Sequence, residues 1–402
     1  MSKKKYTFID LFAGCGGLSE GFYKQNFKCL AHVEYDKYAC DTLKTRMKYY
    51  KYLEDEISVL GNDITSKDII DLIESKTENN SIDLLIGGPP CQSFSSLGRA
   101  KDGNAMADDP RNYLFESYEK ILDYFNPKIF VFENVTGLLT AKLNNKKTVD
   151  IILKKLGKKY KLISDPQKMV LNSCHYGVPQ IRKRIILIGV REDVDIEPSE
   201  IYKNIIKTHY LPDSNDYDKK GKTKFITVKD AIEDLPFLKP GEGDVVIDHK
   251  IVKWNKYLSK IRSKKDTKLR DHVSRNHNEL DKKRYKEMSK NKWTFTELLE
   301  NKPLLRHVKQ RVFKNSYVVQ FWNKPARTII AHLYKDGNQF IHPDYKQERT
   351  ITPREAARLQ SFPDDFVFEG SRTQQYKQIG NAVPPLMAEA IAKSIRTVLD
   401  KI

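Results

Sequence analysis

Gly87-Gly-Pro-Pro-Cys-Gln-Ser-Phe-Ser95 follows a short apolar run, Ser81-Ile-Asp-Leu-Leu-Ile86. An apolar run bounded by glycine and proline reads as a buried parallel strand that ends at a sharp turn. Pro89 and Pro90 cannot donate ladder hydrogen bonds, and Pro90 keeps the turn stiff. Cys91 is therefore presented just past the carboxyl end of a strand, where open α/β sheets gather ligands and reacting groups. A thiol there is a candidate nucleophile. An isolated cysteine is more often a small buried hydrophobe, so the reading rests on what surrounds it.

Towards the N-terminus, Thr7-Phe-Ile-Asp-Leu-Phe12 reads as a strand. The turn Ala13-Gly-Cys-Gly-Gly17 and a helix carrying Leu18 and Phe22 follow it. Strand, glycine turn and helix form the nucleotide-binding opening of a doubly wound fold. The spacing is not Gly-x-Gly-x-x-Gly, so a pyrophosphate is not favoured. Residues 28–33 read as a second strand ending at Glu34, 18 residues after Gly16, close to the roughly 20 of a ribose-binding carboxylate. Residues 57–60 read as a third strand, followed by Asp63, which could accept from an exocyclic amine. Ser66 is expected to cap a helix with Ile69, Ile70 and Ile73 on one face.

Beyond the cysteine, residues 95–112 are rich in Ser, Gly, Asp and Asn and read as a mobile lid. Phe115, Tyr118, Leu122 and Phe125 mark a core-facing helix. Residues 128–132 read as a fifth strand, ending at Glu133-Asn134-Val135. Glu34, Asp63, Cys91 and Glu133 thus each end a strand, and a doubly wound sheet brings such ends to one edge. Two carboxylates near the glycine turn suit a nucleoside; a cysteine with a glutamate suits a nucleophile with an acid. Arg182 and Arg184, at a loop-to-strand junction, could bind phosphate or base.

The chain has 402 residues and a net charge of +18. That length suits two or more domains, and the charge points to a polyanionic partner. Residues 251–315 hold 20 lysines and arginines against 7 acidic residues, a net +13, with Trp254, Tyr257, Tyr285 and Trp293 interleaved. A basic run is usually a solvated face, but concentration in one block favours nucleic acid. No run approaches the roughly 18 apolar residues of a membrane span, and no signal peptide is expected. The 5 cysteines show no zinc spacing; their odd number suggests reduced thiols, a cytoplasmic location and no metal. The expected division is a catalytic domain over 1–190, a smaller domain over 191–370, and a segment over 371–402 that returns to the first.

Asp10-Leu-Phe-Ala-Gly-Cys-Gly-Gly17, Gly88-Pro-Pro-Cys-Gln-Ser-Phe94, Phe132-Glu-Asn-Val135, Gln180-Ile-Arg-Lys-Arg184, residues 353–363 and Gly380-Asn-Ala-Val383 recur in one order. Together they resemble the cytosine-5 DNA methyltransferase family of bacterial restriction–modification systems. The resemblance implies a Rossmann-like methyltransferase sheet with a smaller target-recognition domain, S-adenosylmethionine as methyl donor, and double-stranded DNA as substrate. It implies Phe12, Ala13, Gly14, Glu34, Asp63, Ile64, Leu114, Asn381 and Ala382 around the donor, with Glu34 on the ribose and Asp63 on the adenine amine. It implies Cys91 as nucleophile at cytosine C6, Glu133 near N3, Arg184 at the O2 edge and Arg182 assisting. A monomer is expected, with a paired restriction endonuclease as functional partner. The rival readings are a related enzyme acting on tRNA, a non-catalytic nucleic-acid-binding protein of this fold, and an NAD-dependent oxidoreductase. The last fails on its glycine spacing.

Overall fold

A computed structural model describes residues 4–78, 80–90, 113–143, 145–211, 219–251, 253–306 and 316–402. Five parallel strands form its centre: β1 (Thr7–Leu11), β2 (Lys28–Val33), β3 (Val59–Leu60), β4 (Leu84–Gly87) and β5 (Ile129–Val135). Their order is β3-β2-β1-β4-β5. The strand Lys183–Arg191 pairs antiparallel with β5, and Tyr160–Lys161 and Val170–Asn172 pair with it in turn. That makes eight strands among the described residues. Strand order reverses between β1 and β4, so the two motif-bearing turns leave neighbouring strands at the switch point of a doubly wound α/β sheet.

The central strands are apolar without alternation because both faces are covered. Phe8, Ile9 and Leu11 of β1 and Leu84, Leu85 and Ile86 of β4 are fully buried. Helix α1 (Gly17–Lys24) follows the glycine turn and α2 (Lys37–Tyr49) follows β2. Glu20 of α1 takes a two-point ion pair from Arg46 of α2, at 2.7 and 2.8 Å. Gly21 lets α1 meet the last helix, Pro385–Leu399, at backbone distance: a Cβ there would lie 2.3 Å from backbone atoms of Ala388 and Glu389. The element boundaries differ from the sequence reading at some ends. The third helix, α3, runs from Ile69 to Thr77 with Asp68 rather than Ser66 before it, and neither residue caps it through a side chain. Residues 166–169 form a short 3-10 turn ahead of the strand Val170–Asn172, where Pro166 cannot donate to a ladder.

Contacts divide the chain into two compact units. One holds Met1–Asn172, Lys183–Ile206 and Met387–Ile402; the other holds Ser173–Arg182 and Lys207–Leu386. These limits differ from the expected 1–190, 191–370 and 371–402. The segment 191–206 stays with the first unit, where Tyr202 Oη donates to the Ile186 carbonyl and accepts from the Ile188 N–H. Ser173–Arg182 belongs to the second. There the Gln180 amide bonds the Ile329 N–H and the Leu359 carbonyl.

The second unit carries a network of buried charge beside its apolar core. Thr352 caps the helix Pro353–Leu359 in a reciprocal box with Glu355, as Thr-Pro-x-Glu anticipates. Arg358 from this helix forks onto both oxygens of Asp364 (2.9 and 2.7 Å), which also receives Arg262 at 3.1 Å. Glu355 receives both terminal nitrogens of Arg349 at 2.7 and 2.8 Å. The basic block 251–315, read as favouring nucleic acid, is in part interior among its described residues. Tyr257 and Tyr285 are core residues, and Arg262, Arg275 and Arg284 are buried. Arg284 binds Asp281, the Tyr317 hydroxyl and the Leu305 carbonyl. Long guanidinium stems supply apolar area while their heads satisfy buried carbonyls and carboxylates. No helix among the described residues is long and apolar enough to cross a membrane.

Candidate active site

Register aligns the strand ends. Leu60 faces Val33, Val33 faces Leu11, Leu11 faces Gly87, and Gly87 faces Phe132. One residue further along lie Gly61, Glu34, Phe12, Gly88 and Glu133, so the carboxyl edge carries two of the four expected polar groups in one row. Asp63 lies two residues beyond it. Cys91 and the segment 95–112 fall outside the described residues.

Phe12 leaves β1 with φ of +55°, a left-handed conformation uncommon for a bulky non-glycine residue. Gly14 continues the turn at φ +56°, and no heavy atom lies within 4 Å of where its Cβ would stand. The turn thus leaves an open space that a ligand can approach at backbone distance. The Ala13 N–H donates to the Val33 carbonyl and the Gly14 N–H to Glu34 Oε2 at 2.7 Å, which ties the turn to the end of β2. Glu34 Oε1 accepts from the N–H groups of Tyr35 and Asp36 at 2.8 and 2.7 Å. Burial pushes the Glu34 carboxyl up, against the downward pull of those three N–H groups. Beneath the turn, Ser19 Oγ donates to the buried Asp10 at 2.5 Å.

Asp63 is exposed, and Thr65 donates to its Oδ1 through both N–H and hydroxyl at 2.9 and 2.8 Å. Those bonds hold its carboxyl below the usual range, leaving an ionised acceptor. Ile64 is buried beside it, and Leu114 is half-buried at the start of the helix Leu114–Phe125.

Glu133 and Arg184 meet because of sheet register. Glu133 lies opposite Ile186 in the antiparallel pair, so Arg184, two residues away, is its diagonal neighbour on the same face. Arg184 Nε lies 2.9 Å from Glu133 Oε1, with both side chains 13% exposed. Burial lowers the Arg184 guanidinium from its ordinary value and the Glu133 carboxylate opposes that. Gly88 is packed against the same carboxylate: a Cβ there would stand 2.9 Å from Glu133 Oε2. Arg182, expected to assist Arg184, lies in the second unit, buried, donating to the carbonyls of Ile329 (2.6 Å) and Gly380 (3.1 Å). Asn381 is exposed at the end of the helix Arg372–Asn381, and Ala382 follows it, both in the second unit.

Asn134 has a positioning role that its motif alone does not show. Its buried amide donates to the Pro89 carbonyl at 3.1 Å, and its Oδ1 accepts the Val135 N–H at 2.8 Å. It pins the turn that leads to Cys91 onto β5. Asparagine is depleted inside strands, and its place between Glu133 and Val135 was the available signal.

The chain matches the model of the C-5 cytosine-specific DNA methylase family over residues 6–397. It is 35% identical to a type II methyltransferase of Bacillus paralicheniformis, over 98% of this chain and 99% of that protein. It is also 35% identical to a type II methyltransferase of Desulfomicrobium norvegicum, over 98% and 90%. A crystal structure described as a prophage-encoded DNA modification methyltransferase of E. coli shares the fold, with a TM-score of 0.69 at 24% identity over 98% of this chain and all of that one.

Proposed function

Since the chain belongs to the C-5 cytosine-specific DNA methylase family, and is a DNA (cytosine-5) methyltransferase of the type II restriction–modification kind, we propose a specific course for its reaction. It methylates carbon 5 of a flipped-out cytosine in one duplex sequence, through a bond between Cys91 and carbon 6. The observation that carries this reading is the Glu133–Arg184 pair, packed against Gly88 at the mouth of the Pro89-Pro90 turn.

S-adenosylmethionine supplies an electrophilic methyl group. The residues present suit it: an open glycine turn at Gly14, and carboxylate acceptors at Glu34 and Asp63 for ribose hydroxyls and the adenine amine. Phe12, Ala13, Ile64 and Leu114 supply the less polar walls.

Cytosine C5 is too weak a nucleophile to take a methyl group unaided. The Cys91 thiolate adds to C6, and the electron pair of the C5–C6 bond moves to C5 and into the ring. Glu133 in its protonated form donates to N3 and so stabilises that charge, while Arg184 holds Glu133 and the O2 edge. C5 then forms its bond to the methyl carbon as the bond from that carbon to the donor's sulfonium sulfur breaks, the electron pair leaving on the sulfur as a thioether. Loss of the C5 proton and departure of the Cys91 thiolate restore the aromatic ring. Because C5 and C6 are inaccessible within the stack, the base must leave the helix. Arg182, bonded to carbonyls of its own unit, acts in this reading as a structural support. The protein works as a monomer in the cytoplasm, on DNA that a paired endonuclease would otherwise cut.

Bisulfite sequencing of DNA from cells expressing the chain, beside methyl incorporation into duplex DNA and tRNA, tests the reaction. One methylated cytosine within one recurring duplex sequence is expected; incorporation into tRNA alone would overturn the substrate. Glu133→Gln tests the division of labour: turnover falls sharply while donor affinity, measured by calorimetry, stays near that of the unmodified protein. Loss of donor binding in Glu133→Gln would contradict it.

A further inference from the structure

The second unit contains a polar cavity of about 290 Å³, walled by three separate segments. Arg275, His277 and Asp281 come from the first, Lys335 and Asp336 from the second, and Arg372 from the first turn of the helix Arg372–Asn381. Arg275 is buried, and its terminal nitrogens donate to the carbonyls of Lys335 and Leu333. It is a fixed positive charge in the wall. Lys335 and Arg372 are exposed cations. Arg372 spends one N–H on the Ser274 carbonyl and keeps the rest of its fork. Lys335 and Lys377 both lie over the ring of Tyr334, at 6.0 and 5.2 Å.

The opposing carboxylates are unequal. Asp281 is spent on Arg284, the Tyr317 hydroxyl and the Asn278 amide. Asp336 accepts only the Asn338 N–H and has no cationic partner among the described residues. His277 Nε2 accepts from the Thr350 N–H. Burial pushes its pKa down to about 4, so the neutral ring carries its proton on Nδ1 and offers a donor. Asn276, Asn278 and Asn338 also line the walls, and the side-chain carbonyls of the last two are taken by the Asp281 N–H and the Tyr285 hydroxyl, so the walls present three cations against one carboxylate without a cationic partner among the described residues. A base edge needs acceptors and donors alike, whereas a phosphodiester needs donors alone.

We infer that this cavity holds one backbone phosphate of the substrate DNA, with Lys335 and Arg372 closing on it and Arg275 fixed behind. The inference rests on duplex DNA being the substrate. It replaces a contiguous basic block with cations drawn from three distant stretches of chain.

The test is the affinity of the full-length protein for fluorescent duplex DNA across a potassium chloride series, with one duplex carrying the methylated sequence and one unrelated. Lys335→Ala and Arg372→Ala should each lower the slope of log affinity against log salt by about one unit. The loss should be the same for both duplexes. Asp336→Asn should act oppositely, with tighter binding, a direction that damage to the fold would not produce. Slopes and affinities unchanged in both alanine variants, or weaker binding by Asp336→Asn, would overturn the site. Calorimetry with inorganic phosphate forms the second arm. Phosphate bound through Lys335 and Arg372 while DNA affinity ignores both would assign the cavity to a free anion and also overturn it. If the unmodified protein methylates no duplex, the parent reading falls with it; if it methylates DNA and the variants match it, the site alone falls.

Discussion

Glu34 accepts three backbone N–H groups and still sits in surroundings that raise its carboxyl. Burial disfavours the charged form, so protonation begins at higher pH than for a free glutamate. Protonation removes an acceptor that a ribose hydroxyl would use. Donor affinity should therefore fall as pH is lowered from neutrality, before the ordinary carboxylate range is reached. Calorimetric titrations at a series of pH values check this; a flat profile into that range would remove Glu34 from the donor's ligands. Asn134 makes a different prediction. Asn134→Ala should lower turnover on the order of tenfold, the worth of one buried hydrogen bond, with donor affinity kept. Asn134→Asp should be worse, since a carboxylate would then face the Pro89 carbonyl. The rate of covalent capture by suicide-substrate DNA should fall in the same order. Glu34 and Glu133 were legible because they end apolar runs. Asn134 was legible only as an asparagine out of place in a strand, because periodicity carries no trace of its bond to a backbone carbonyl 45 residues away.

At the scale of elements, the parallel strands were readable because burial on both faces writes itself as unbroken apolar sequence. The helix Pro353–Leu359 carries an equally local signal, a threonine before a proline at its first position. Its buried face was not readable: Arg354, Glu355 and Arg358 look like a solvent-facing surface and lie inside. Burial alone would raise Asp364, but Arg358, Arg354 and Arg262 outweigh it and hold the carboxyl down to about 2. A depressed carboxyl contributes stability that is full above the ordinary aspartate range and lost as pH falls through the folded value. Acid unfolding of the second unit should accordingly extend to strongly acidic pH. Asp364→Asn should cost about 3–5 kcal/mol at neutral pH, since it leaves buried guanidinium charge uncompensated. Urea unfolding followed by tryptophan fluorescence measures it. A loss below 1 kcal/mol, on the scale of an exposed pair, would show that Asp364 does not offset the buried guanidinium charge.

At the scale of the molecule, the sequence order of the motifs implies one sheet edge, and the register of β1 to β5 carries Glu34 and Glu133 there. The division into units was less readable. The chain leaves the first unit at Asn172, returns at Lys183, and leaves again after Ile206. Such excursions are fixed by bonds like Gln180 to Ile329 and Leu359, between residues far apart in sequence. The central claim, that the Gly88-Pro89-Pro90 turn delivers Cys91 to the base as a nucleophile, concerns the whole assembly of turn, acid and donor. Duplex DNA carrying 5-fluorocytosine at the methylated position tests it most directly, because fluorine cannot leave C5 as a proton does. With S-adenosylmethionine present, the unmodified protein should form a denaturation-resistant complex with that DNA, and peptide mapping should place the bond on Cys91. Cys91→Ala should bind the same DNA and form no such complex; a covalent complex with Cys91→Ala would contradict the account.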